Sequence, residues 1–346
     1  MPINTHIDFK MKIFSSSFLF ASIFLVAFTA RAQDGLTASY TSVGTKSSLN
    51  ATPVDRRQNS VVAITGVRFA YPLVQQWIDE YNKIHPDVQI IIESRGTNDP
   101  TKYDILIEAY ETNLETKKSR EYVYVARYAI LLIANSHSAF AKVYSAKGLN
   151  RALIRQLFFH DIFSDKNENV SVKEAYTVYT RLQKSGAPTT FSQYFGYKQK
   201  DLKGKSIAGS DEHLLKAVLR DSAGLSYLPL NLLFDQKTGK PVEGITVLPV
   251  DLNGNGKVSD DEKFYNNLSV FIQRIEEKNQ KEVVNVPMEY LNFSVDKNDP
   301  SPEAIAFLQW IIEHGQNDLH VFGFLKPEPA RLEKEKKNVL ILKGKM

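Results

Sequence analysis

The sequence predicts a layered α/β fold with long strands crossing between two lobes, and three observations carry the prediction. The stretch Val61–Ser94 reads as strand, turn, helix, strand. An apolar run Val61–Ile64 and a turn Thr65-Gly66-Val67-Arg68-Phe69 come first. Tyr71, Leu73, Val74, Trp77, Ile78 and Tyr81 then recur at steps of three and four, before a second apolar run Val88–Ile92. That recurrence puts the six side chains on one helical face, and two parallel strands need such a crossover between them. Next, Tyr122–Ala134 is aromatic and β-branched, then continuously apolar. It is long enough for a single strand crossing from one lobe to the other, with Val286–Val295 as the return crossing. Finally, strand and helix patterns alternate along most of the remaining chain, as layered α/β proteins require.

Taken in order, the chain opens with Lys10-Met11-Lys12 before an apolar run Ile13–Phe28, and Ala30-Arg31-Ala32 follows. This is the pattern of a secretory signal peptide at 1–32, cleaved after Ala32, with Met11 as an alternative start. The same run read as a membrane anchor is short for a span. Residues 33–60 are Ser-, Thr- and Asp-rich and read as a flexible leader. After the β-α-β unit, His85-Pro86 ends the helix, because proline disfavours helical geometry in the residue before it. Tyr103–Ile107 is a short strand and Glu115–Arg120 a polar break. Asn150 is placed to cap a helix Arg151–Phe158. Ala175–Arg181 is a strand; helices follow from Thr190 and over Asp211–Arg220. Gly224–Leu228 and Ile245–Val250 read as strands, and Glu262–Asn279 is amphipathic. Ser301-Pro302-Glu303 starts a helix that runs to His314. The charged tail is expected to fray beyond Glu335. Lobe 1 is expected from 61–128 and 286–330, lobe 2 from 129–285, and the tail at 331–346.

Composition narrows the function. The 346 residues are 43% hydrophobic and 24% charged, ordinary for a globular protein. The formal charge is +4; loss of residues 1–32 leaves 40 basic and 38 acidic side chains. That balance, with no basic stripe bearing aromatics, argues against nucleic acid. There is no cysteine, which excludes disulfides, thiolate metal sites and a lipidated cysteine. Seven histidines are scattered, with neither His-Glu-x-x-His nor Gly-x-Ser-x-Gly, so catalysis is not expected. Gly204-Lys205-Ser206 lacks the earlier glycine of a phosphate loop and reads as a lysine-rich surface turn, while Asp165–Glu168 reads as solvated loop.

The sharpest local motif is the segment 251–262, DLNGNGKVSDDE. Asp251, Asn253, Asn255, Ser259 and Glu262 offer side-chain oxygens at loop positions one, three, five, nine and twelve. Gly256 sits at six, Lys257 offers its carbonyl at seven, and Val258 is apolar at eight. A chain coiling round one Ca2+ needs this spacing, with glycine at the sharp turn and a final glutamate able to give both oxygens. The incoming element is a strand, so a lone structural calcium loop is expected and not an EF-hand pair. A plain Asn-Gly turn is the alternative.

Two further segments, Gly66-Val67-Arg68-Phe69 and Ser185-Gly186-Ala187-Pro188-Thr189-Thr190, each follow a strand and open a helix. Backbone N–H groups at such places, with hydroxyls and a cation, can hold an anion. The candidate site is Gly66, Val67, Arg68, Phe69, Ser185, Gly186, Ala187, Thr189 and Thr190, with Arg68 as cation and Arg181 as a second candidate. Ordinary β-to-α turns would look the same.

These segments also carry a resemblance. Ile64–Ile90, ITGVRFAYPLVQQWIDEYNKIHPDVQI, resembles the opening of the phosphate-binding proteins of phosphate ABC transporters. The similarity continues through Ile130–Asn135, Gly148-Leu149-Asn150, Leu157-Phe158-Phe159, Ser185–Gly196, Gly224–Tyr227 and Pro302–Gln316, so it spans most of Val61–Lys326. VLPVDLNGNGKVSDDEKFY, Val247–Tyr265, is similar to a calcium-loop-containing branch of such proteins. The resemblance implies a type II periplasmic-binding fold with two crossover strands and a central cleft. It further implies a monomeric periplasmic protein that clamps a small oxyanion, phosphate-like, and delivers it to an ABC transporter permease or other membrane partner. Departures are local: Val67, Arg68 and Phe69 stand where the family has hydroxyls, Arg95-Gly96-Thr97-Asn98 replaces a glycine- and serine-rich turn, and Glu108-Ala109-Tyr110 replaces a Ser-Arg segment. They leave an alternative, a protein of this fold that has lost phosphate binding and serves as an accessory or partner-binding component with a structural calcium.

Overall fold

The computed structural model describes residues 61–94, 99–110, 114–160, 171–278 and 282–344. The signal-peptide and leader expectations, the turn at 95–98 and the acidic loop at 165–168 lie outside them. No helix among the described residues is long and apolar enough to cross a membrane.

The first half of the chain builds strands β1 (Val61–Gly66), β2 (Gln89–Ile92), β3 (Ile105–Glu108) and β4 (Arg120–Asn135). The second half adds β5 (Thr177–Arg181), β6 (Lys205–Ile207), β7 (Gly224–Pro229), β8 (Ile245–Val247) and β9 (Met288–Asp296). They form one nine-stranded sheet in the order β2-β1-β3-β9-β4-β7-β5-β6, with β8 also paired to β4. Each flank is parallel: β1 lies parallel to β2 and β3, and β5 lies parallel to β6 and β7. The centre is antiparallel, where β9 pairs with β4 from Arg120↔Asp296 to Ala129↔Met288. Beyond that point β4 pairs with β7 and β8, Ile133 meeting Ser226 on one side and Val247 on the other. Thus β4 and β9 are the two crossings, and β4 begins two residues earlier than its apolar run predicts.

Helices cover the flanks. α1 (Tyr71–Ile84) buries Leu73, Val74, Trp77, Ile78 and Tyr81, the face anticipated from spacing, with proline in its first turn. The Trp77 indole N–H donates to the Gly315 carbonyl at 2.9 Å, fastening α1 to the turn that closes a later helix. The polar break resolves into α2 (Leu114–Ser119). α3 (Ala139–Lys147) and α4 (Arg151–Phe158) follow, α4 capped by the Asn150 side chain accepting from Leu153 N–H at 2.9 Å. α5 (Gly186–Tyr194) lies between β5 and β6, and α6 (Asp211–Arg220) between β6 and β7. α7 (Leu268–Glu276) and α8 (Pro302–Glu313) complete the layers. The expected surface turn at Gly204–Ser206 is instead largely β6, an exposed edge strand paired with β5.

The charged tail does not fray at Glu335. It forms α9 (Pro329–Lys343), in which Glu335, Val339 and Leu342 recur at steps of four and three and are all buried. Lysines between them mask that stripe in the sequence. Arg331 lies over the rings of Tyr124 (4.3 Å) and Tyr290 (4.9 Å), one on each crossing strand. Arg127 of β4 pairs with Glu328 at 2.9 Å, and Tyr290 of β9 donates to the same carboxylate. Burial pushes the Glu335 carboxyl above its usual range, with Asn338 and Arg331 opposing.

Leu342→Ala is expected to lower the unfolding free energy by about 2–5 kcal/mol, as for other buried leucines. Leu340→Ala, 55% exposed on the same helix, should change it by less than about 0.5 kcal/mol. Urea denaturation of both variants checks this, and equal effects would contradict a packed α9.

Candidate functional site

Parallel strands direct their carboxyl ends the same way, and the helix that follows each one starts there with free backbone N–H groups. In this sheet four such ends converge. A cleft of about 650 Å³ is lined by Gly66–Phe69 after β1, Ile107–Tyr110 at the end of β3, Arg181 and Gln183–Gly186 after β5, and Gly209–Glu212 after β6. Both turns singled out in the sequence therefore face one space.

On the β1 side, Gly66 has φ 140°, and a Cβ there would lie 2.0 Å from the Ile107 carbonyl oxygen, so only glycine fits. The Tyr71 hydroxyl holds the turn, 3.1 Å from the Gly66 carbonyl oxygen and 3.2 Å from its nitrogen. Arg68 is exposed and its guanidinium donates to the Ser94 carbonyl at 3.0 Å, which bridges β1 to the end of β2. Phe69 is buried against Tyr128 and Phe324, with its carbonyl accepting from Asn231 Nδ2 at 2.7 Å.

The second side is more polar. Arg181, the last residue of β5, donates from Nη1 to Asp211 Oδ1 at 2.7 Å, and each side chain is 9% exposed. Burial raises the Asp211 carboxyl above its ordinary pKa, while Arg181 pulls it back down. The Arg181 Nε is buried with no hydrogen-bond partner, and so is the Ser185 hydroxyl. Ser185 occupies the N-cap of α5 without making the usual capping bond. Gln183 accepts from Gly209 N–H at 3.1 Å and ties the β5 loop to the β6 loop. Gln199 fixes the same turn from behind, donating to the Gln183 carbonyl at 3.0 Å.

Gly66, Val67, Arg68, Phe69, Arg181, Ser185 and Gly186 thus line one cleft, whereas Ala187, Thr189 and Thr190 do not line it. The Thr190 hydroxyl meets Tyr128 OH at 2.7 Å, and Thr189 donates to Gln199 Oε1 at 3.2 Å. Tyr128 also donates to the Ala109 carbonyl, which locks the end of β3 against α5. The sequence reading missed Asp211, Ser210 and Gln183. A serine cap ahead of Asp211-Glu212 was a visible helix start, but its place beside Arg181 depends on β6 pairing with β5.

The loop 251–262 stands apart from the cleft. Asp251 and Glu262 are 1% and 2% exposed. Asp251 accepts from Gly254, Asn255 and Gly256 N–H, and Glu262 from Leu252, Asn253 and Ser259 N–H. Among the described residues neither carboxylate forms an ion pair, and no cluster of three or more His, Cys, Asp or Glu side chains is arranged to hold a metal. Val258 packs on Gly148, and Asn150 donates to the Gly256 carbonyl at 3.2 Å, anchoring the loop to the start of α4.

No family model and no curated protein matches the sequence. The fold does have solved counterparts. A protein described as a phosphate ABC transporter substrate-binding protein with bound phosphate, from Clostridium perfringens, superposes with a TM-score of 0.57 at 16% identity, over 78% of this chain and 100% of that one. An ABC-type phosphate transport receptor from Vibrio cholerae gives 0.52 at 13% identity, with the same coverage. The fold is that of the two-lobe, type II periplasmic-binding proteins.

Removing one partner of a buried ion pair strands the other charge. Arg181→Met and Asp211→Asn are each expected to cost on the order of 3 kcal/mol in stability, and the double variant well under their sum. A double-mutant cycle by chemical denaturation measures the coupling; strict additivity would contradict the pair.

Proposed function

We propose that the protein is a solute-binding protein whose cleft clamps a small tetrahedral oxyanion, phosphate or a close relative, for delivery to an ABC-type membrane transporter. One observation carries the reading. Two buried donors, Arg181 Nε and the Ser185 hydroxyl, lie unpartnered beside a cleft where the N-termini of α5 and α6 converge. Buried donors without acceptors are costly, and an anion at a helix N-terminus supplies acceptors where the backbone N–H groups also point. The fold shared with a phosphate-bound counterpart supports the same reading. Arg181, not Arg68, is the principal cation, because Arg68 is exposed and already bonded to Ser94. Binding, not chemistry, is the mechanism: the lobes close by hinge motion at β4 and β9. Export to the periplasm, as a monomer, belongs to the proposal through the signal-like residues 1–32.

A structural calcium in the loop 251–262 is part of the proposal. Two buried carboxylates without an ion pair favour a cation, and Asn253, Asn255, Ser259 and the Lys257 carbonyl stand at the spacing that would complete its oxygen shell. The bound ion would fasten the loop that links β8 to α7.

Calorimetric titration with phosphate and with sulfate tests the anion reading. Measurable binding is expected, falling at least tenfold in Arg181→Ala and less than threefold in Arg68→Ala, since one charge-assisted hydrogen bond is worth roughly 1.5–3 kcal/mol. No heat with any tetrahedral oxyanion would overturn it. Millimolar calcium added after chelation should raise the melting temperature, and Asp251→Asn with Glu262→Gln should abolish the rise. An unchanged wild-type melt contradicts the calcium reading.

A further inference from the structure

The two walls of the cleft differ in kind. On the β5–β6 side stand Arg181, Lys184, Ser185 and Ser210, with the Asp211 and Glu212 carboxylates. On the β1–β3 side the lining is Val67, Ile107, Ala109 and Tyr110. The apolar wall comes close to the polar one: a Cβ on Gly186 would meet the Ala109 methyl at 2.3 Å and a Val67 methyl at 3.7 Å. The Ala109 and Val67 methyl groups therefore lie against Gly186 at the start of α5. The apolar wall also carries one charge of each sign. Glu108 lines it, with its carboxylate accepting from Ser294 Oγ at 2.8 Å, and Arg68 on that side is turned to Ser94.

A free tetrahedral oxyanion exposes oxygens in all directions and is best matched by donors on every side. This cleft gathers its buried unpartnered donors, Arg181 Nε and the Ser185 hydroxyl, on one side and presents the methyl groups of Val67 and Ala109 on the other. Its volume of about 650 Å³ lies in the range of roughly 300–1,000 Å³ typical of sites for small organic molecules. Resting on the oxyanion reading above, we infer that the physiological ligand is an organic oxyanion, a phosphonate, phosphate monoester or sulfonate. Its tetrahedral head meets Arg181 and Ser185, and its uncharged arm lies along Val67, Ala109 and Tyr110. The apolar wall makes burial of such an arm favourable, and an arm that ends in a second charge loses that gain.

The test is a calorimetric series on the purified wild-type protein with inorganic phosphate, methylphosphonate, phenylphosphonate and phosphonoacetate. Affinity should rise from phosphate through methylphosphonate to phenylphosphonate, by at least tenfold overall, and phosphonoacetate should bind more weakly than phenylphosphonate. Val67→Ser, a partly exposed position whose folding is checked by thermal melting, should bring phenylphosphonate and phosphate to within threefold of each other. Phosphate bound as tightly as phenylphosphonate overturns this inference and leaves the oxyanion reading intact. Silence with all four ligands overturns both. A preference unchanged in a folded Val67→Ser overturns the placement of the arm.

Discussion

The antiparallel ladder between β4 and β9 is the constraint on which the rest of the molecule depends. Nine residue pairs, from Arg120↔Asp296 to Ala129↔Met288, join two parallel flanks that share little other strand pairing. Because the ladder fixes the flanks in one sheet, the ends of β1 and β3 come to face the ends of β5 and β6. The buried Arg120 strengthens its start, donating from Nη2 and Nε to the Ser294 carbonyl and hydroxyl at 2.7 and 3.1 Å. Across its other end lies α9, with Arg331 over a tyrosine of each crossing strand.

The cleft that results is electrostatically unfinished. Arg181 and Asp211 neutralise each other in a nearly dry setting, which restrains both side chains. Yet the pair engages only one edge of the guanidinium, and Nε remains without an acceptor. Burying an ion pair gains little stability in itself, so its value here lies in orientation. It holds the Arg181 guanidinium in one orientation, and under the proposed function a preorganised donor loses less entropy on binding.

Much of this architecture was legible in the sequence, for physical reasons. The β1–α1–β2 unit and the two crossings announce themselves because burial on both sheet faces demands continuous apolar runs, and the α1 stripe follows the helical period. Gly66 and Ser185 were legible as turn residues. The functional roles within those turns were not. Arg68 sits in the right turn, but its side chain reaches Ser94, a contact decided by where β2 ends. Thr189 and Thr190 carry the hydroxyls that local reasoning favours, but Tyr128 and Gln199 engage them. Asp211 reaches Arg181 across thirty residues only because β6 pairs with β5. In α9, lysines hid an apolar stripe of two residues and a buried glutamate.

Arg181 Nε and the Ser185 hydroxyl are, on the proposed function, donors for an oxyanion, and nitrogen-resolved NMR of the arginine Nε–H groups, with Arg181 assigned by Arg181→Lys, reads the first of them. Titration with phenylphosphonate or phosphate is predicted to move the Arg181 Nε–H resonance downfield, saturating with the ligand, while that of Arg68 moves little. A fixed Arg181 resonance under saturating ligand would contradict the account.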